Sequence, residues 1–288
     1  MNVLFATDGE EPSERACAML SRIADPERTH VTVLSVNDFD VAMREAQLRG
    51  HYSPEAGQQA AQRAVDEAVA ALAAAGLDHV DGLVVAGDEA SEIVHAAETR
   101  GTDLVVVGSG KEGWLDTVVL GSVSSSVLAG SPCPVLVVHQ APEGGRHVPV
   151  VVGADGSDGS NRSIAAFAGL AEPGRCEVAV ITAAHPLSLP AAGQASEAGL
   201  AQEIADEEVT LAHRHADAAA STLADAGFHV ETEVVPGGAA AALLEQVERR
   251  DADLVVVGAR GLGRFRAKVL GSVSDRVLRH APATLIGR

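Results

Sequence analysis

Two glycine clusters, 150 residues apart, have the residue types and spacing that suit chemistry. Gly258-Ala259-Arg260-Gly261 is followed, after nine residues, by Gly271-Ser272-Val273-Ser274. Glycines after a strand permit positive φ and close approach of a ligand to the backbone. Gly271-Ser272 opens a helix pattern. Unpaired amides and the positive end of the helix dipole make such a start an anion site. Ser272 and Ser274 add hydroxyl donors. Arg260, Arg264, Arg266 and Lys268 place four positive charges in the same loop. The first cluster, Gly108-Ser109-Gly110-Lys111, leads to Gly121-Ser122-Val123-Ser124 with the same interval of 13 from first to second motif glycine. Here Lys111 stands where the second cluster has Gly261, and Glu112 and Asp116 bring the loop to a net charge of −1. Lys111 can still meet a phosphate, as a point charge. The plain alternative is a solvated loop ending in an ordinary N-cap.

Two aspartates complete the set. Asp8 in Ala6-Thr7-Asp8-Gly9 corresponds to Asp155 in Gly153-Ala154-Asp155-Gly156. Each can touch Mg²⁺ through a phosphate, or can simply close a local turn. Other patterns carry less. Gly108 to Gly113 matches GxGxxG, but no acidic residue follows about 20 positions on, and the second cluster lacks the pattern. Gly110-Lys111 is no Walker A motif. His213 and His215 fall on different faces of a helix and read as a solvated surface. Cys17, Cys133 and Cys176 form no CxxC pair and read as core residues. No base and nucleophile pair is visible, so hydrolysis is expected to be weak at most.

The elements that must position these residues also occur twice. Asp103-Leu104-Val105-Val106-Val107-Gly108 recurs at Asp253 to Gly258. The aspartates are 147 apart and the glycine motifs 150 apart, so the second copy holds three extra residues, expected within Pro186–Gly199. In the first copy, strands are expected at Val3–Ala6, Val31–Val36, Leu83–Ala86, Leu104–Val107 and Pro134–Val138. Helices are expected at Pro12–Ala24, Ala60–Ala75, Ser91–Arg100 and Ser122–Ala129. The second copy repeats this order, with its long helix expected at Ala205–Ala226. Alternating strands and helices imply right-handed crossovers and a doubly wound parallel sheet with ligands beyond the strand carboxyl ends. The reading is an α/β chain with domains 1–140 and 148–288 and a linker at 141–147.

Composition excludes several classes. The chain has 21 Lys+Arg against 40 Asp+Glu, a net of −19, which disfavours nucleic-acid and anionic membrane partners. No apolar run reaches a membrane span, and no signal peptide is evident, so a cytoplasmic protein is expected. Residues 1–147 carry −13 and residues 148–288 carry −6.

These residues carry a resemblance. The spacing Gly-x2-Gly-x9-Gly-Ser after an Asp-Leu-Val-Val-Val strand, with an Asp after the first strand, resembles the universal stress protein family in its ATP-binding, glycine-motif branch. The resemblance implies two tandem five-stranded parallel sheets of order 3-2-1-4-5, with helices on both faces. It implies ATP, with Mg²⁺ as a candidate companion. Asp8 and Asp155 would lie near ribose and phosphates. Val36 and Ala183 would offer backbone groups to adenine. Gly108, Gly121, Ser122, Gly258, Gly261, Gly271 and Ser272 would hold phosphates and ribose. Family members dimerise through their last strands, so the two copies would form a pseudo-dimer within one chain, with a further homodimer left open. The last strand, Thr284–Ile286, reads as shorter than its counterpart and as offering a partner little edge. The implied function is nucleotide-coupled stress regulation. The alternatives are a slow ATP hydrolase or phosphotransferase, and a nucleotide-free scaffold. Copy two is expected to bind ATP more tightly than copy one, a ranking that Gly108→Val and Gly258→Val would address.

Overall fold

The computed structural model describes residues 1–38, 54–109, 120–142, 144–184, 195–259 and 270–287. In copy one the strands are β1 (Asn2–Ala6), β2 (His30–Asn37), β3 (Val80–Ala86), β4 (Leu104–Gly108) and β5 (Val135–Val138). The helices are α1 (Glu11–Ile23), α2 (Pro54–Ala74), α3 (Glu89–Thr99) and α4 (Ser122–Gly130). Copy two has β6 (Val148–Gly153), β7 (Cys176–Ala184), β8 (Val230–Pro236), β9 (Leu254–Gly258) and β10 (Ala283–Gly287). Its helices are α5 (Asp158–Leu170), α6 (Ala195–Asp225), α7 (Ala239–Arg250) and α8 (Ser272–Leu278).

Local sequence explains most of these bounds. α1 has Pro in its first turn and buries Ala16, Met19, Leu20 and Ile23, one face at helical spacing. In β4 and β9 the residues before the terminal glycine are all buried, because helices cover both faces of a central strand. From the end of β2 to the start of β3 is 43 residues, and from β7 to β8 it is 46, so the three extra residues lie in this connection. α6 is 31 residues long and starts ten residues before the expected Ala205.

Each copy has the strand order 3-2-1-4-5, yet the two sheets are not separate. They join in one ten-stranded sheet, β3-β2-β1-β4-β5-β10-β9-β6-β7-β8. The join is antiparallel: Leu136 of β5 lies opposite Leu285 of β10, and Val135 opposite Ile286. The expectation for the last strand is therefore corrected. β10 has five residues against four in β5, and it lies inside the sheet between β5 and β9. Pairing on both sides extends it and leaves no edge to offer. The open edges are β3 and β8. Asp81 on β3 and Glu231 and Glu233 on β8 place charge there, which opposes pairing with another chain.

The seam is closed a second time by helix ends. Asp25 N–H donates to Leu170 O (2.8 Å), and Glu172 N–H to Ile23 O (2.8 Å). Arg175 reaches Ser21 O at 3.1 Å. Apolar residues from both copies pack together on each face of the sheet. One defect sits in the seam: the hydroxyl of Thr284 is fully buried and has no hydrogen-bond partner among the described residues. Thr284→Val fills the same space without an orphaned polar atom. It is expected to stabilise the chain by about 1 kcal/mol, read as a rise in the denaturation midpoint at unchanged m-value.

Candidate functional site

β1 lies beside β4, while the chain passes from β1 to β2 on one side and from β4 to β5 on the other. This is the switch point of copy one; β6 and β9 form that of copy two. At this end of the sheet stand Asp8, Val36, Gly108 and Gly121 of copy one, and Asp155, Ala183, Gly258 and Gly271 of copy two. Gly9, at φ +75°, turns the chain after Asp8, as Gly156, at φ +72°, does after Asp155. Asp8 Oδ1 accepts from Glu10 N–H (2.9 Å) and Ser13 Oγ (2.8 Å). Asp155 Oδ1 accepts from Ser157 N–H at 3.0 Å. Both carboxylates thus seat the start of the following helix, which bears out the turn reading.

β2 runs past the last β1 pair, Ala6 opposite Leu34, as far as Asn37. Thr7 N–H donates to Leu34 O at 2.9 Å. Val36, two residues on, points its backbone groups the same way, into the space beyond β1. Ala183 stands likewise beyond Gly153, whose last partner is Ile181.

Gly108 and Gly258 need their lack of a side chain for another reason than the one expected. Neither has positive φ. A methyl at Gly108 would stand 2.1 Å from Pro12 O, and one at Gly258 2.6 Å from Ser160 N. The close approach is that of the protein's own helix, α1 or α5, to the end of the central strand.

The helix starts behave as expected for their backbone and differently for one serine each. Gly121 and Gly271 are N-caps, and neither helix has a side-chain cap. Ser125 N–H is the first to bond Gly121 O (3.0 Å), and Asp275 N–H the first to bond Gly271 O (2.9 Å). The amides of Ser122, Val123 and Ser124, and of Ser272, Val273 and Ser274, precede those bonds and have no intrahelical partner. By contrast, Asp88 caps α3 and Ser157 caps α5. Ser122 and Ser272 are exposed, as a ligand contact requires. Ser124 and Ser274 are buried, and their hydroxyls are spent internally. Ser124 Oγ bonds Ser109 Oγ (3.0 Å), and Ser274 Oγ bonds Ala259 O (2.7 Å). Their side chains pin the helix to the end of the central strand and are not anion donors. Lys111 and Gly261 lie outside the described residues, as do the charged residues at 110–119 and 260–269 and residues 185–194 of the extra stretch.

Two residues escaped the sequence reading. His215 is not a solvated surface residue: its ring covers Gly156, where a methyl would stand 2.5 Å from Nε2. At the same place in copy one, Gly9 faces Ala64. Aligning the two long helices from their closing glycines, Gly76 and Gly227, would have paired Ala64 with His215. His139 follows β5 and lies buried in the seam. Its Nδ1 faces Ser109 O (3.1 Å) and its Nε2 faces Leu278 O (2.8 Å). Burial pulls its pKa down, while the two carbonyls act the other way and Arg15 adds to the fall. His139 ties the start of the copy-one glycine loop to the end of α8 in copy two.

Charge also differs between the copies. The Glu89 pKa is raised, first by burial and then by Asp38, Asp8 and Asp88 around it. Among the described residues no group of three or more His, Cys, Asp or Glu is set to hold a metal ion.

The sequence profile of the Universal stress protein family matches residues 1–139 and again 148–286. The chain belongs to the universal stress protein family. A universal stress protein of Mycobacterium tuberculosis is 30% identical over 300 residues, covering 99% of this chain and 95% of its own length. One from Mycolicibacterium smegmatis is 30% identical, covering 97% and 94%. The crystal structure of a universal stress protein from Archaeoglobus fulgidus matches in fold with a TM-score of 0.67 at 21% identity, over 100% of this chain and 98% of that one. This universal stress protein is thus a tandem of two family units. No helix among its described residues is long and apolar enough to cross a membrane.

Proposed function

We propose that this universal stress protein binds ATP at the carboxyl ends of its central strands and couples occupancy to its conformation or its partners. One observation carries the reading: in both copies a helix start without a side-chain cap returns to the end of the central strand 13 residues after its terminal glycine. Such a start leaves three amides for phosphate oxygens. Val36 and Ala183 are the adenine-edge candidates, and Asp8 and Asp155 the ribose and Mg²⁺-phosphate candidates. Because each Asp Oδ1 already accepts from its own turn, neither is poised as a general base, and this favours holding over hydrolysis. His139 gives occupancy of copy one a route to α8 across the seam.

The test begins with acid extraction of freshly purified protein and identification of any released nucleotide. Calorimetry with Mg-ATP follows on Ser122→Asp and Ser272→Asp. Both serines are exposed at helix starts, where a carboxylate suits the dipole, so stability is expected to hold. Affinity at the altered copy is expected to fall about tenfold or more, since the new charge meets the phosphates directly. Absence of both extracted nucleotide and Mg-ATP binding would leave the scaffold reading. Single-turnover release of phosphate would favour the hydrolase.

A further inference from the structure

We propose that His139 is a switch between the copies: a ligand phosphate held by copy one draws the single N–H of its ring to Ser109 O and so releases the last turn of α8 in copy two. This rests on the nucleotide reading above and names the device through which occupancy acts.

Two carbonyls compete for this ring. Leu278 O ends α8, and the residue four positions on is Pro282, which has no N–H to close the helical bond. Ser109 O follows β4. The amides that continue β5 beyond Val138 turn away from it: His139 N–H (2.9 Å) and Gln140 N–H (3.0 Å) both donate to Pro282 O of copy two. His139, 5% exposed, lies between the two carbonyls, with Nδ1 3.1 Å from Ser109 O and Nε2 2.8 Å from Leu278 O. Burial pulls its pKa down, so the ring is uncharged at neutral pH. A neutral imidazole donates from one nitrogen and presents a lone pair at the other. The ring therefore bonds one carbonyl at a time, and the other faces a lone pair. The two tautomers are two states of the seam.

Copy one biases the choice. Ser109 is tied to the start of α4 by its side chain, where Oγ accepts from Gly121 N–H (3.4 Å) and bonds Ser124 Oγ (3.0 Å). Phosphate on the amides of Ser122 to Ser124 fixes that start, and with it Ser109 and its carbonyl. Without ligand, the shorter contact and the negative end of α8 favour the N–H on Nε2. With ligand, the fixed Ser109 O takes the N–H at Nδ1, and Leu278 O loses its donor.

The test uses the full chain carrying Ser272→Asp, so that Mg-ATP fills copy one, with occupancy read by calorimetry. Ring nitrogen NMR shifts of His139, assigned by through-bond correlation, report which nitrogen holds the proton. Hydrogen exchange reports the last turn of α8 through the amides of Arg279, His280 and Ala281, which bond Asp275 O and Val277 O. Mg-ATP is expected to move the proton from Nε2 to Nδ1 and to speed this exchange about fivefold or more. With His139→Phe added to the same chain, ATP is expected to change the exchange by less than about twofold. Bound ATP with either the ring shifts or the exchange unchanged would overturn the switch and leave the nucleotide reading standing. So would an exchange response that persists in His139→Phe. Should that variant not fold, the ring shifts and exchange of the parent chain decide. ATP binding to the unaltered chain but not to Ser272→Asp would leave copy one without a ligand and overturn the switch alone. No ATP binding to either chain would overturn the nucleotide reading, and this proposal with it.

Discussion

Gly258→Val is expected to destabilise the chain by about 3 kcal/mol or more, and Gly108→Val to do the same. At Gly258 even the first added carbon would stand 2.6 Å from Ser160 N and 2.9 Å from Gly159 C. These are backbone atoms in the first turn of α5, so no rotamer change relieves the overlap. The helix itself would have to move. It cannot move freely, because Gly287 of β10 also lies under it, with Gly159 O 2.2 Å from a methyl placed there. At Gly108 the obstacle is Pro12 O at 2.1 Å. For a chain of this size the loss corresponds to a fall in Tm of about 6 °C or more. Gly174→Ala is the control: nothing lies within 4 Å of its added carbon, and no measurable change is expected. Equal stability of Gly258→Val and Gly174→Ala would contradict the packing argument. The same geometry disqualifies these valine variants as probes of ATP binding, since they report folding first. Substitutions at Ser122 and Ser272 serve that purpose.

Leu285→Asp is expected to cost about 4 kcal/mol or more and to unfold both copies in one transition. Leu285 is fully buried and lies opposite Leu136 across the seam. A carboxylate there has neither water nor a positive partner, and the strand carrying it is bonded on both sides. The two apolar clusters, one on each face of the sheet, both cross the seam, so damage there is shared by both copies. Differential scanning calorimetry of the unaltered chain should show one cooperative transition. Two resolved transitions, with Leu285→Asp lowering only one, would mean that the copies fold independently.

Much of the fold was legible in the residues. Two Leu-Val-Val-Val-Gly strands with identical spacing to a Gly-Ser helix start name a duplicated α/β unit. The order 3-2-1-4-5 within each copy entered through the family resemblance, and the structure bears it out. Less of the site was legible. A glycine after a strand looks the same whether it admits a ligand or its own helix. Gly108 and Gly258 admit a helix backbone, a fact that depends on where α1 and α5 land. A serine in a Gly-Ser-Val-Ser start looks like a donor in either position. The helical turn exposes Ser122 and Ser272 and buries Ser124 and Ser274 against the central strand.

By itself, the sequence determined the duplication, the alternation of strand and helix, and the placement of an acidic turn and a glycine motif at the ends of the first and fourth strands. These are local or periodic properties, readable along the chain. That the copies meet through their last strands entered through the family resemblance; only the tertiary structure decided that the meeting makes one sheet, because antiparallel pairing of β5 with β10 joins residues about 150 positions apart and leaves no local signature. For the same reason it alone placed His139 between the copies and His215 over Gly156. Each of these groupings is made by separate elements whose mutual distance is set by packing.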